Sequence, residues 1–244
     1  MAVGIIGGTG LTRLDGLTIE REEAVTTRWG EPSAPLVFGR LGDTEVVFLA
    51  RHGNPHRIPP HKVNYRANIQ ALKDVGVERV IAVAAVGGIT ERAGPSAVLI
   101  PDQIIDYTYG RAMTFFEDDL DEVVHIDFSW PYCAELRADL LTAAARAGVD
   151  AVDGGVYAAT QGPRLETAAE IRRLANDGCD IVGMTGMPEA ALAREAGLCY
   201  ASLSVVANWG AGISDAEITM ADIERELETG MARVRAILER FLMA

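Results

Sequence analysis

One segment constrains the fold more than any other: residues 80–86 form an uninterrupted run of valine, isoleucine and alanine. A strand with one face in water alternates apolar and polar side chains, whereas a strand buried on both faces is apolar throughout. Residues 80–86 therefore predict a central strand whose sheet is covered by helices on both sides.

The remaining segments predict strands that alternate with helices. Short apolar runs predict further strands at residues 2–6, 36–40, 46–51, 97–100, 156–160, 181–184 and 200–207. Apolar side chains at helical spacing predict helices over residues 65–76, 131–148, 166–176, 188–196 and from 219 onward. Pro131 suits a first helical position, and Thr219 with Asp222 suits a capping box. The alternation predicts one α/β domain over residues 1–244, with a parallel or mixed sheet flanked by helices.

Charge and composition exclude several classes of function. The net charge is −13, and the only lysines are Lys62 and Lys73, so the chain lacks the basic surface that nucleic-acid backbones require. The apolar run at residues 2–6 is too short for a secretory leader or a membrane span, so we expect a cytoplasmic protein without a membrane partner.

Cysteine and histidine spacing also carries information. Cys133, Cys179 and Cys199 form no Cys-x-x-Cys pair, which predicts free thiols in a reducing compartment. The histidines that follow Arg51 have no carboxylate or cysteine at metal-ligand spacing, so we expect no metal site there.

Glycines and polar residues cluster where predicted strands end, which is where ligands bind in sheets of this type. A Gly-Gly-Thr-Gly turn with Thr9 could hold a phosphate through backbone amides, or could serve only as a tight turn. Arg51 and His52 follow another strand, where the arginine is either a bidentate anion clamp or a surface residue. Thr185 precedes a helix, as an anion ligand or as a cap.

Glu166 and Asn208 occupy similar positions. Glu166 lies near a predicted helix start, where a carboxylate is stabilised by the helix dipole even without another function. Asn208 follows a strand and is either a turn residue or a ligand-binding amide.

Taken together, these segments resemble the trimeric purine nucleoside and methylthioadenosine phosphorylase family. The matching stretches are GIIGGTGL (4–11), ARHGNPHRIPPHKVNYRANIQALK (50–73), ATQGPRLETAAEIR (159–172) and VGMTGMPEAALAREAGLCYASLSVVAN (182–208). The resemblance implies a mixed sheet that forms a distorted barrel, a homotrimer, inorganic phosphate as co-substrate, and no metal or organic cofactor.

The resemblance also implies roles for individual residues. The implied phosphate site contains Thr9, Arg51, His52 and Thr185, with the backbone around Ala85. Met184 would pack under the ribose, and His125 would reach the neighbouring subunit's site. Glu166, Asn208 and Leu165 would surround the base, although the family usually has phenylalanine at the position of Leu165. Ala84 and Gly186-Met187 also depart from the family's usual residues.

The base and the 5′ substituent follow from the same positions. Glu166 would accept from N1–H of hypoxanthine and Asn208 would donate to O6 and face N7, whereas adenine-specific relatives have aspartate in place of Asn208. Met220 occupies the position of a histidine that binds the 5′-hydroxyl in relatives that act on ordinary nucleosides. The expected reaction is therefore phosphorolysis of S-methyl-5′-thioinosine to hypoxanthine and 5-methylthio-α-ribose 1-phosphate.

Four alternatives stay open at this point. Within the family they are a general inosine/guanosine phosphorylase and a methylthioadenosine phosphorylase. Outside it they are a nicotinamide-dependent oxidoreductase, which would need a helix after the first glycine-rich turn, and a nucleoside-binding protein without catalysis.

Overall fold

A computed structural model describes residues 2–9, 11, 16–118, 120–214 and 219–243. The strands in these ranges are β1 (Ala2–Gly7), β2 (Thr18–Glu23), β3 (Leu36–Leu41), β4 (Thr44–Ala50), β5 (Val77–Gly88), β6 (Val98–Ile100), β7 (Gln103–Asp106), β8 (Ala151–Asp153), β9 (Val156–Ala159), β10 (Ile181–Gly183) and β11 (Cys199–Trp209). The helices are α1 (Tyr65–Asp74), α2 (Ala134–Arg146), α3 (Ala168–Asn176), α4 (Gly186–Glu195) and α5 (Met220–Leu242).

The predicted central strand is the point where the sheet branches. β5 pairs in parallel with β1 and with β11, and its last two residues pair antiparallel with β10. One branch continues from β1 through β4 and β3 to β2, a second from β10 through β9 to β7, and a third from β11 through β6 to β8. The prediction of a mixed sheet is confirmed.

Side chains of β5 alternate between two apolar cores. Val80, Ala82, Ala84 and Val86 belong to the core that contains α1 and α4 residues. Ile81 and Val83 belong to the core that contains α2 and α5 residues. Because helices cover both faces of this part of the strand, each position from 80 to 86 favours an apolar side chain, which explains the run.

The differences from the sequence-based prediction lie in weakly patterned segments. β2 is Thr-Ile-Glu-Arg-Glu-Glu, exposed at every position, and has no apolar alternation that could reveal a strand. β7 and β8 have four and three residues and were also not predicted. Pro131 is not the first helical residue, because Cys133 is the N-cap and the helix begins at Ala134.

The expectation of three free thiols is wrong. Cys133, at the start of α2, and Cys199, at the start of β11, form a disulfide with 5.2 Å between their Cα atoms. Cys179 is the free cysteine, and it is buried. The inference of a reducing compartment therefore loses this support, and the cytoplasmic location stays a prediction. Among the described residues, no helix is long and apolar enough to cross a membrane.

Candidate active site

A cavity of about 280 Å³ opens where β1, β4 and β10 end, beside the last part of β5 and of β11. Most of the predicted site residues line it: Thr9, Arg51, His52, Ala85, Leu165, Glu166, Met184, Thr185 and Asn208. β1 and β4 are parallel, as are β5 and β11, so their carboxyl ends bring distant polar residues to one edge of the sheet.

The turn after β1 passes very close to the cavity floor. A Cβ atom added at Gly8 would lie 2.5 Å from the Val83 carbonyl oxygen and 2.9 Å from Nη1 of Arg51. Only glycine leaves room for that approach. Thr9 follows at the exposed rim, so its hydroxyl and the backbone of this turn border the cavity beside Arg51.

Arg51 is held by a buried ion pair that the sequence did not predict. Its Nε and Nη2 donate to the two carboxylate oxygens of Glu189 at 2.7 and 2.8 Å, and Nη1 donates to Val83 O at 2.9 Å. Burial by itself disfavours the charge, but the Glu189 carboxylate overcompensates and raises the pKa of Arg51. The predicted bidentate contact of Arg51 is therefore made to Glu189, and two of its five N–H donors are left for a ligand.

His52 is neutral at neutral pH. Burial and the charge of Arg51 lower the pKa of His52 to about 4. Nδ1 lies 2.8 Å from Ile58 O and therefore carries the proton that it donates. Nε2 is consequently an acceptor, and the ring stacks on His56, which also lines the cavity, with centroids 4.5 Å apart.

The side chains of Thr185 and Glu166 do not form capping hydrogen bonds. Thr185 is the N-cap residue of α4, but its side chain makes no capping hydrogen bond. α3 is capped by Thr167 and Glu170, which form a reciprocal capping box. Glu166, one residue earlier, instead accepts from Thr160 Oγ1 at 2.6 Å. The capping alternatives for both side chains are thereby removed.

An irregularity in β11 sets the direction of the Asn208 side chain. The register between β11 and β5 shifts between Val206 and Asn208, and such bulges redirect the side chains that follow. One amide N–H of Asn208 donates to Trp209 O at 2.6 Å. The second N–H and the carbonyl oxygen supply a donor and an acceptor next to Gly87 at the cavity wall.

Among the described side chains, one predicted site residue, His125, does not line the cavity. His125 is exposed on the segment between β7 and α2. Met220 is the first residue of α5, but its side chain lies outside the described part of the structure. Ile223, one turn along α5, does line the cavity.

Sequence inspection missed Glu189, although one signal was present. It is the only charged residue between Ile181 and Ala193, a segment that is otherwise almost entirely apolar. A lone carboxylate in such a segment is rarely buried unless it has a partner. In the described ranges, no group of three or more His, Cys, Asp or Glu side chains could hold a metal ion.

Comparison with known proteins assigns the family. Residues 2–243 match the phosphorylase superfamily. The chain belongs to this family. The predicted resemblance and the nucleoside phosphorylase fold are confirmed.

Three relatives illustrate the similarity. The chain is 58% identical to a probable S-methyl-5′-thioinosine phosphorylase of Pseudomonas syringae pv. tomato, over 98% of each chain. It is 46% identical to a 6-oxopurine nucleoside phosphorylase of Pyrococcus furiosus, over 91% of this chain and 84% of the relative. The structure of methylthioadenosine phosphorylase from Schistosoma mansoni in complex with adenine superposes with a TM-score of 0.95 and 34% identity, over 99% and 91% of the two chains.

The buried ion pair of this phosphorylase generates a stability prediction. Arg51→Ala would leave the Glu189 carboxylate buried without its cationic partner. We expect Arg51→Ala and Glu189→Ala each to lose about 3–5 kcal/mol of unfolding free energy in urea titrations.

Two further variants complete this test. Arg51→Met/Glu189→Leu removes both charges and should recover much of the loss. Arg164→Ala breaks the exposed pair with Glu170 and should leave the unfolding free energy nearly unchanged, because solvent screens exposed ion pairs. An Arg51→Ala protein as stable as the parent would contradict the assigned role of the ion pair.

Proposed function

We propose that the chain is a purine nucleoside phosphorylase that cleaves 6-oxopurine nucleosides, with S-methyl-5′-thioinosine as its preferred substrate. The observation that carries the proposal is one cavity lined by Glu166 and Asn208, which we assign to the base, and by Arg51, His52 and Thr185, which we assign to phosphate. The names of the two relatives with high sequence identity support the same substrate class.

The base side of the cavity suits hypoxanthine. Glu166 accepts a hydrogen bond from N1–H, and the remaining amide N–H of Asn208 donates to O6 or N7. When the bond between N9 and C1′ breaks, its electron pair moves into the purine, and a donor at N7 stabilises the developing negative charge. Thr160 holds the Glu166 carboxylate through a 2.6 Å hydrogen bond, which fixes the acceptor before substrate binds.

The other side of the cavity suits phosphate. The two uncommitted N–H donors of Arg51, the Thr185 hydroxyl and the turn at Gly8-Thr9 supply donors. His52 accepts at Nε2, so it would accept a hydrogen bond from the O–H that phosphate carries near neutral pH. A phosphate oxygen then attacks C1′ from the face opposite the base, through an oxocarbenium-like state, and yields 5-methylthio-α-ribose 1-phosphate. The purine leaves with the electron pair of the broken bond and becomes hypoxanthine when it takes up a proton from solvent.

Apolar side chains support the 5′ preference. Ile223 lines the cavity, and Met220 precedes it by about one helical turn. A thioether and a branched aliphatic side chain suit a methylthio group better than a hydroxyl, which would have to leave water without a partner. The proposal includes no metal and no organic cofactor, and this stays a prediction.

Different observations argue against the alternative functions. A dinucleotide-binding unit needs a helix and then a parallel strand after β1, whereas Thr18–Glu23 is an exposed strand antiparallel to β3. A methylthioadenosine phosphorylase, the name of the Schistosoma relative, would need a donor for the adenine N1 where Glu166 offers only an acceptor. A general inosine/guanosine phosphorylase is the second candidate and is separated by the 5′ experiment below.

The first functional prediction concerns the base. With phosphate saturating, we expect kcat/KM for S-methyl-5′-thioinosine to exceed that for methylthioadenosine by about 10⁴-fold, because adenine leaves buried polar groups unpaired. Asn208→Asp should lower activity on the inosine form and narrow this ratio. Glu170→Gln, which changes a carboxylate outside the cavity, should leave the ratio unchanged. Comparable release of adenine and hypoxanthine by the parent enzyme would refute the roles of Glu166 and Asn208.

The second functional prediction concerns the 5′ substituent of the nucleoside. We expect S-methyl-5′-thioinosine to exceed inosine in kcat/KM by about tenfold to a hundredfold, the usual discrimination for a small apolar group. Met220→His should raise the relative activity on inosine by adding a hydrogen-bonding group. Met243→His places the same side chain at the exposed end of α5 and serves as the control. Inosine used as well as the methylthio substrate would favour the general phosphorylase.

We further propose that the protein acts as a homotrimer in which His125 completes a neighbouring cavity. In one chain His125 is exposed and lies beside Val123 and Val124, which are 74% and 42% exposed. Exposed apolar side chains grouped on one segment are typical of surfaces that another chain covers.

The trimer is tested by mass and by activity. Light scattering should give three times the 26.1 kDa of one chain. His125→Ala should raise the KM for the nucleoside without changing the mass, whereas Asp127→Ala, on the same segment, should change neither. A monomer with full activity would overturn both the assembly and the role of His125.

A further inference from the structure

Arg111, on the irregular segment between β7 and α2, donates hydrogen bonds to two loops that form the cavity. Its Nη2 donates to the carbonyl oxygens of Thr160 and Gln161 at 3.3 and 2.9 Å, and Nε donates to the Gln161 side chain at 3.1 Å. These acceptors belong to the loop that carries Glu166.

The same guanidinium binds a second loop. Nη1 donates to the carbonyl oxygens of Met184 and Met187 at 2.8 and 2.6 Å. Met187 has extended backbone angles inside α4, so its carbonyl takes no part in a regular helical turn and is available as an acceptor. This loop carries Thr185 and leads directly to Glu189.

A third connection reaches the segment that carries His52 and His56. Nη1 of Arg111 also lies 3.3 Å from the Tyr65 hydroxyl, which in turn donates to Pro60 O at 3.0 Å. Pro60 lines the cavity. One planar group thus contacts the base-side loop, the ribose and phosphate loop, and the histidine segment.

We propose that Arg111 is a positioning residue that fixes the base-binding and phosphate-binding walls of the cavity relative to each other. The two loops also touch directly: Gly162 has φ +60°, and a Cβ there would lie 2.3 Å from Sδ of Met184. The two loops leave the paired strands β9 and β10, and the guanidinium bridges them beyond the last pair of that ladder, Ala159 with Gly183. Within the described residues Arg111 forms no ion pair, so its charge is directed at carbonyl dipoles.

The residue type follows from this geometry. A guanidinium offers five N–H donors in a rigid plane and reaches acceptors on both of its sides. A lysine ammonium keeps the charge but is a single nitrogen, so it cannot reach both pairs of carbonyls. Arg111→Lys therefore removes the guanidinium bridge between the loops while it retains the charge.

The experiment compares Arg111→Lys and Arg111→Ala with Arg137→Lys. Arg137 is a matched control, since it also donates to backbone carbonyls, but those belong to Ile100 and Pro101, which do not line the cavity. Hydrogen exchange should be faster at residues 160–166 and 184–187 in both Arg111 variants and unchanged there in Arg137→Lys. Unchanged exchange in these loops would overturn the proposal whether or not the chain is a phosphorylase.

The kinetic part of the test rests on the proposed function. For folded enzyme, kcat/KM for S-methyl-5′-thioinosine and for inorganic phosphate should fall together by about tenfold to a hundredfold, as expected for misplacement of about 1 Å. Added guanidinium should restore activity to Arg111→Ala, and sodium chloride at equal ionic strength should not. Unaltered kcat/KM in Arg111→Lys would overturn the positioning role. A parent enzyme without phosphorolysis would refute the proposed function, and hydrogen exchange would still decide on Arg111.

Discussion

The active-site side of this phosphorylase depends on the buried ion pair between Arg51 and Glu189. The pair joins the end of β4 to α4, and it is anchored to β5 by Val83 O and to β11 by the Tyr200 hydroxyl, which donates to Glu189 at 2.9 Å. Burying two charges carries a large desolvation penalty, which is offset only when the geometry is good and further hydrogen bonds satisfy the group. Here both conditions hold, so the arginine at the cavity is rigid and largely neutralised.

Neutralisation changes how such a cavity attracts an anion. Arg51 is matched by Glu189, and His52 is uncharged because its pKa is lowered to about 4. In the proposed phosphate site, the favourable potential would come from oriented donors: the remaining N–H groups of Arg51, the Thr185 hydroxyl and the backbone near Gly8. Oriented dipoles in a partly buried cavity stabilise charge without reorganising during the reaction. The small residues of β5, Ala84, Ala85 and Gly87, leave the space in which those donors face a ligand.

The sequence by itself determined the central strand and the identity of most cavity residues. An unbroken apolar run has only one favourable placement in an α/β sheet, with helices on both faces, and β5 divides its side chains between two cores accordingly. Polar residues that end apolar runs, such as Arg51 directly after β4 and Asn208 next to the last residue of β11, had to lie at strand ends, and parallel strands bring such ends together. Local patterns also gave the capping residue Thr219, whose side chain accepts from Asp222 N.

Only the tertiary structure decided which distant groups become partners. Glu189 and Arg51 are 138 residues apart, Arg111 lies 73 residues from Met184, and Cys133 is joined to Cys199 across 66 residues. Nothing local distinguishes Arg111 from the other arginines of the chain, because its acceptors are backbone carbonyls that every residue carries. Spacing along the chain records periodicity within one element, whereas these contacts depend on how strands and loops from separate elements pack around a common cavity.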